Sequence, residues 1–241
     1  MLATDSIEQL IEKTLIGNGS SDRHAITFFA IALASFGKRT LELGVEFGGS
    51  TLSFLLAAKL NDGLVTSVDI NDTPFVPPDD LRKHWKFIKS DALVFLRSLP
   101  REQKFDLIYI DDLHTYPHVQ EELKLIQNHM TPTTVILMHD LMDYRSEPHY
   151  HTNPALWKGN FAWGGPYRAV AELDSSWEWA TLPWRNGLTL LRKKQALHQD
   201  SRIKMWAKRL LSRISPETAK KVQGAYRKLL GRKAFDVREK R

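Results

Sequence analysis

From Arg39 onward the chain alternates short, unbroken apolar runs with longer stretches whose apolar residues recur every three or four positions. The runs are RTLELGV, LVTSVDI, WKFIKSD, FDLIYID and TTVILMHD, and between them stand segments such as STLSFLLAAKL and HVQEELKLIQNHM. Strands that are apolar on both faces, with helices between them, specify a parallel sheet, because each crossover helix must cover a face. Two further runs, WEWATLPW and GLTLLRK, flank Arg185-Asn186-Gly187, and an Asn-Gly pair between β-rich runs predicts an antiparallel hairpin. The expected fold is α/β: a doubly wound, mostly parallel seven-stranded sheet closed by a C-terminal antiparallel hairpin.

Helical spacing precedes and follows this body. Ile7, Leu10, Ile11 and Leu15 share one helix face, after an Asp5 to Glu8 pair that matches a capping box. GNGS ends that helix. A second one, over roughly 22–36, is apolar almost all round and is expected to be buried or to lie at an oligomer contact. Near the other end, Ile203, Trp206, Ala207, Leu210, Leu211 and Ile214 form one stripe, with Arg202, Lys204, Lys208, Arg209 and Arg213 off it. Ser215-Pro216 then starts another amphipathic helix carrying Val222, Ala225, Tyr226, Leu229 and Leu230. The expected division is 1–38 as N-terminal helices packing on the core, 39–194 as a ligand-binding α/β domain, and 195–241 as a helical tail.

Charge sharpens that division. The net charge of +6 hides 17 basic against 4 acidic residues from Arg192 to Arg241, a net of +13, which leaves −7 for the body. A basic, amphipathic tail suits an anionic membrane surface, with the apolar stripe inserted and lysines near headgroups. The same pair of helices would equally fold back on the acidic body or pair between subunits of a homo-oligomer. Nucleic acid fits less well, since the charges accompany a continuous apolar stripe. The 241 residues contain no cysteine, which excludes disulfides, thiolate metal sites and cysteine nucleophiles. No basic-then-apolar leader opens the chain, and FFAIALASF falls short of the roughly 20 residues that span a bilayer. A cytoplasmic protein, peripheral at a membrane if the tail acts there, is expected.

The first apolar run leads into Gly44, Gly48 and Gly49, and then a helix from about Ser50 or Thr51. Glycines at such a junction allow a sharp turn and close approach of a ligand to the backbone. Asp69 ends the second run, where an acid can accept two ribose hydroxyls, and Asp91 ends the third, near where an adenine would lie. The pattern is that of a nucleoside-type cofactor. The G-x-G-x-x-G fingerprint is absent because Glu46 and Phe47 occupy its middle, which disfavours NAD.

The stretch from Glu42 to Ser50 instead resembles the E-x-G-x-x-x-G-x-S pattern of class I S-adenosylmethionine (SAM)-dependent methyltransferases, with Glu46 where a middle glycine is commonest. SVDI, SDA, LIYIDDLHTY, the helix with Glu122, VILMHD and GPYRAVAEL follow in the order seen in sugar O-methyltransferases of the rhamnosyl and macrocin types, over roughly 39–193. The resemblance implies a Rossmann-like fold and a SAM site lined by Glu42, Gly44, Gly48, Gly49, Ser50, Asp69, Asp91 and Asp111. In macrocin-type enzymes the acid at Asp111 and two consecutive acids after the fifth strand hold magnesium. By that resemblance Asp111 and Asp140 would be metal ligands and His114 the general base, and the carry-over breaks at His139, the remaining candidate for the metal set.

His139 stands where a second carboxylate is expected, and imidazole suits manganese, iron or zinc better than magnesium. Ligands of doubly wound sheets sit outside the carboxyl ends of the strands, so Asp111 and Asp140, at neighbouring strand ends, should converge. Without a metal, His114 or His139 would serve as base, oriented by Asp111 or Asp140. Asp112 reads as a turn or solvent-facing residue. The 25 residues of LMDYRSEPHYHTNPALWKGNFAWGG exceed an ordinary connection, and Tyr144, His149, Tyr150, His151, Trp157, Phe161 and Trp163 give them flat faces suited to a sugar ring.

The reading is a SAM-dependent O-methyltransferase acting on a hydroxyl of a small molecule, sugar or glycoconjugate, with Mg or Mn as candidate metals. Two alternatives stand beside it: an RNA methyltransferase docked by its basic tail, and a non-catalytic SAM- or nucleotide-binding adaptor.

Overall fold

The computed structural model describes residues 4–17, 19, 21–35, 37–142, 165–183 and 186–194. The chain divides into two compact units, Met1–Lys194 and Gln195–Arg241. The second, with the amphipathic helices expected of the tail, lies outside the described residues.

Seven strands form one sheet in the order β3-β2-β1-β4-β5-β7-β6. They are β1 (Arg39–Leu43), β2 (Leu64–Asp69), β3 (Trp85–Lys89), β4 (Phe105–Ile110), β5 (Met130–His139), β6 (Trp177–Leu182) and β7 (Leu188–Lys193). The first five are parallel, and β7 is antiparallel to both β5 and β6. Winding proceeds outward from β1 to β3, then returns to the middle at β4, so a crevice opens beyond the carboxyl ends of β1 and β4.

Side chains alternate across the sheet with a period of two, which assigns each strand residue to one of two cores. Leu41, Leu43, Ile108, Ile110, Ile136 and Met138 pack beneath α4 (Ala92–Ser98), α5 (Tyr116–Ile126) and α6 (Gly165–Ala171). Leu107, Tyr109, Leu137 and Leu188 pack with α1 (Thr4–Ile16), α2 (Ala25–Ala34) and α3 (Thr51–Asn61). By the same parity Glu42, beside Leu41 and Leu43, and His139, after Met138, point to the α1–α3 side. Both are buried.

The N-terminal elements depart in detail from expectation. Asp5 falls within α1 as described from Thr4. A 3-10 turn, Ser21–His24, precedes α2. α2 buries Ala25, Phe28 and Ala32 but leaves Ile26 exposed, because only one of its apolar faces meets the body. At the hairpin, Asn186 and Gly187 take φ of 65° and 83°, the left-handed geometry an Asn-Gly turn requires. The Asn186 carbonyl accepts from Met142 N at 2.7 Å, which braces the segment just after Asp140. No helix among the described residues is long and apolar enough to cross a membrane.

Candidate active site

The tips of β1 and β4 touch through a glycine. Gly44 has φ +88° and donates to Val68 O at 2.9 Å, and a Cβ there would stand 2.1 Å from the carbonyl oxygen of Asp111. Only glycine permits both the backbone conformation and the approach. Asp69 ties down the loop that follows: its carboxylate accepts from Val45 N (2.9 Å) and Glu46 N (3.1 Å) on one oxygen and from Asn71 N (2.8 Å) on the other. Gly48, with φ +73°, lies under the Phe75 ring.

Below the loop, Glu42 is wholly buried and accepts from Ser50 Oγ (2.5 Å), Ser67 Oγ (2.6 Å) and Thr51 Oγ1 (3.0 Å). Burial pushes its carboxyl up to about 7, and the three hydroxyls limit the rise. Gly49 faces the Asp22 carboxylate, where a Cβ would be 3.2 Å from Oδ1. Asp91 caps α4 by accepting from Val94 N at 2.9 Å. Of the residues that the sequence assigns to a cofactor, Gly44, Gly48 and Asp69 thus gather at the loop, Glu42 and Ser50 are bonded to each other beneath it, and Asp91 stands at the start of α4.

Beyond β4 and β5 two acids and two imidazoles converge. His114 Nε2 lies 2.9 Å from Asp140 Oδ2 and 3.4 Å from Asp111 Oδ1. His139 Nδ1 lies 3.2 Å from Asp140 Oδ2 and 3.6 Å from Asp111 Oδ1, contacts that lack hydrogen-bond alignment. Asp140 takes φ +64°, which turns the chain sharply at the end of β5 and aims its carboxylate at His114. Burial pulls both imidazoles down, but the flanking carboxylates outweigh it and push each to about 10. Burial pushes both acids up, and the imidazoles reverse this, holding Asp111 well below the usual carboxylate range and Asp140 below its ordinary value. At neutral pH the four groups carry two negative and two positive charges. The His114 side chain is 34% exposed and that of His139 is 0% exposed, so of the two only His114 can meet a substrate.

Three supporting residues were not visible in the sequence. Ser21 Oγ (2.8 Å) and Tyr109 OH (2.7 Å) both donate to Asp111 Oδ2 and leave Oδ1 facing the imidazoles. The His24 ring meets His139 edge-on at 5.4 Å. Ser21 and His24 come from the turn before α2 and reach the site only through tertiary packing, which no local pattern reports. Tyr109 sits among Phe28 and Phe54 as a core aromatic, and only strand parity marks its hydroxyl as bound for the neighbouring acid. Gly165, at the start of α6, presses on the segment carrying His114: a Cβ there would be 2.2 Å from His114 O.

Asp112 departs from the reading as a turn or solvent-facing residue. Its side chain is mostly buried, with Oδ2 3.0 Å from His118 Nε2, because α5 enters close behind it.

Asp111, His139 and Asp140 suit a cation. Their donor atoms all lie within 4.8 Å of one another, and among the described residues Asp140 Oδ1 and both His139 nitrogens are buried without a hydrogen-bond partner. One nitrogen and two carboxylates favour manganese, iron or zinc over magnesium. The aromatic residues expected to receive an acceptor, Tyr144 to Trp163, lie outside the described residues. A surface hollow lined by Lys38, Arg39, Leu64 and Asp106 lies at the amino ends of the strands, away from this cluster.

Comparison with known proteins agrees with the fold. Residues 41–141, from β1 to just past Asp140, match a family model described as a methyltransferase domain. No curated protein gave a significant match. Among solved structures, a putative O-methyltransferase from Klebsiella pneumoniae superposes with a TM-score of 0.61 at 17% identity, covering 80% of this chain and 92% of that one. An O-methyltransferase from Bacillus cereus in complex with SAH gives 0.57 at 14%, covering 80% and 93%. TomG from Streptomyces achromogenes, an O-methyltransferase of tomaymycin synthesis in complex with SAM, gives 0.58 at 14%, covering 80% and 91%. At these identities what the structures share with this chain is the fold.

Proposed function

We propose that the chain is a SAM-dependent O-methyltransferase whose acceptor is a hydroxyl of a sugar or glycoconjugate. The observation that carries this reading is His114, partly exposed at the strand tips and held between Asp140 and Asp111 beside the Gly44 turn. SAM supplies an activated methyl group, so the protein has to hold it, align an acceptor oxygen and remove that oxygen's proton. Asp69 has a carboxylate's lone pairs to spare after accepting three amides, which leaves capacity for a ribose hydroxyl. Gly44 and Gly48 keep the loop backbone open to the methionine portion, with Glu42 and Ser50 as its support from below.

His114 is the group that takes the acceptor's proton, and His139, enclosed, positions the two acids. An imidazole held at about 10 is already protonated at neutral pH, so this role requires its two carboxylates to be neutralised first. A divalent cation on Asp111, His139 and Asp140 would supply that neutralisation and acidify the acceptor hydroxyl. Ser21 and Tyr109 hold the Asp111 carboxylate in place.

A sugar hydroxyl needs such help more than a phenol does, because its proton is harder to remove. The net charge of +13 over residues 192–241 supports attachment to an anionic membrane surface.

The test is release of S-adenosylhomocysteine from the full chain with saturating SAM and Mn2+ or Mg2+. The acceptor panel contains free sugars, rhamnosyl glycosides, phenols and RNA. Turnover confined to the sugar acceptors is expected. Turnover on phenols or RNA alone would redirect the acceptor class, and none on any acceptor would favour a binding-only role.

A further inference from the structure

We propose that Asp112, His118 and Glu122 form a second divalent-cation site, of the kind taken by zinc, that pins the loop after β4 to helix α5. The inference does not depend on methyl transfer.

Glu122 is the starting point. On α5 the residues Val119, Glu122, Leu123 and Ile126 recur at i, i+3, i+4 and i+7, the spacing of a buried face, and all four are buried. An acid therefore stands in the row that packs on the sheet. Its side chain is 0% exposed, and among the described residues neither of its oxygens has a hydrogen-bond partner. Asp112 Oδ1 is likewise buried and unpartnered. A carboxylate so placed is strongly disfavoured if left charged and alone, so a residue of this kind calls for an occupant.

The third member gives the geometry. His118 and Glu122 are one helical turn apart, and His118 Nε2 lies 3.7 Å from Glu122 Oε1 and 3.0 Å from Asp112 Oδ2. A tetrahedral ion with bonds of about 2.0–2.1 Å keeps neighbouring donors roughly 3.3 Å apart, a value these two distances bracket. Donor atoms of all three residues lie within 4.8 Å of one another. One imidazole and two carboxylates make a neutral complex with a dication and leave one coordination position for water. The chain has no cysteine to compete for zinc.

The site is separate from the cluster at Asp111, His139 and Asp140. Glu122 belongs to the α5 side of the sheet, whereas Tyr109 and His139 face the α1–α3 side. Asp111 and Asp112 are nevertheless consecutive, so a cation on Asp112 would stiffen the backbone that carries Asp111. The competing occupant is protons, which would make Glu122 neutral and His118 cationic.

The experiment uses the full chain, stripped with a chelator and titrated with Zn2+ against a chromophoric competitor, with bound metal counted by elemental analysis. Asp111→Asn combined with Asp140→Asn silences the first cluster. In that background one equivalent of Zn2+ should remain. Adding Glu122→Gln or His118→Gln should weaken it by at least about 100-fold.

Should the multiple variants fail to fold, Co2+ absorption of single variants decides instead. Bound Co2+ should fall by one equivalent in Glu122→Gln, and the band that disappears with it should be kept in Asp111→Asn. Absence of Zn2+ binding in the double variant, affinity unchanged by Glu122→Gln and His118→Gln, or a Co2+ band that follows Asp111 alone would each overturn the proposal.

Discussion

His114 and Asp140, which arrive from the ends of different strands, meet at 2.9 Å between Nε2 and Oδ2. The contact exists because β4 and β5 are adjacent and parallel, and because Asp140 adopts φ +64°, a conformation that Asp and Asn tolerate better than most residues. The proton transfer proposed for this chain runs through that pair.

The pair makes stability depend on pH with a definite sign. His114 and His139 are raised from 6.5 to about 10 in the folded protein. Unfolded chains therefore lose these protons first as pH rises, so the stabilisation is complete below about 6.5 and gone once pH has passed about 10. Glu122, raised from 4.5 to about 8 mainly by burial, acts in the same direction from pH 4.5 upward. Asp111 and Asp140 act oppositely: their stabilisation is present above 3.8 and is lost as pH falls through their lowered values. Without added metal, the melting temperature should fall steadily from about pH 6.5 to 10, and Asp140→Asn should make that fall shallower. A melting temperature flat across that range would show that the imidazoles are not held by the acids.

Gly44→Ala should be among the most damaging single changes in the sheet. It forces a side chain into φ +88° and places Cβ 2.1 Å from Asp111 O. A loss of more than about 2 kcal/mol is expected from denaturant midpoints, together with weakened SAM binding. A variant of ordinary stability would mean that the two strand tips can separate freely.

Ser21→Ala tests whether the N-terminal turn belongs to the site. Removing one of the two hydroxyls on Asp111 Oδ2 should cost on the order of 1 kcal/mol. It should also lower turnover several-fold with little change in SAM affinity. Equal losses in both would mark Ser21 as part of the fold alone.

Chelation should abolish methyl transfer without unfolding the chain, and Mn2+ should restore it better than Mg2+, given a nitrogen among the donors. Full activity in excess chelator would leave His114 to work with the acids alone, against the role proposed for a cation.

The sequence revealed the site only where an apolar run ended in chemistry. Asp111 and Asp140 were legible because LIYI and VILM stop at them, and strand adjacency in a doubly wound sheet makes such ends neighbours. Asp69 was legible in the same way as the acid ending β2, although its bonds to the amides of Val45 and Glu46 were not. Ser21 and His24 sit in and after a break whose composition says only that a helix has ended, and their contacts are long-range. Asp112 was misread because an acid beside an acid looks like a turn, while its partner His118 depends on the direction in which α5 departs. Glu122 was the one further clue in plain view, an acid within the stripe Val119, Leu123 and Ile126.

The most direct test compares wild type, Asp69→Ala and His114→Ala by calorimetric titration with SAM, alongside S-adenosylhomocysteine release on whichever acceptor the wild type methylates. Asp69→Ala should lose SAM binding. His114→Ala should bind SAM as the wild type does and turn over about 100-fold or more slowly, the usual contribution of a general base. Wild-type turnover in His114→Ala, or SAM affinity unchanged in Asp69→Ala, would contradict the account.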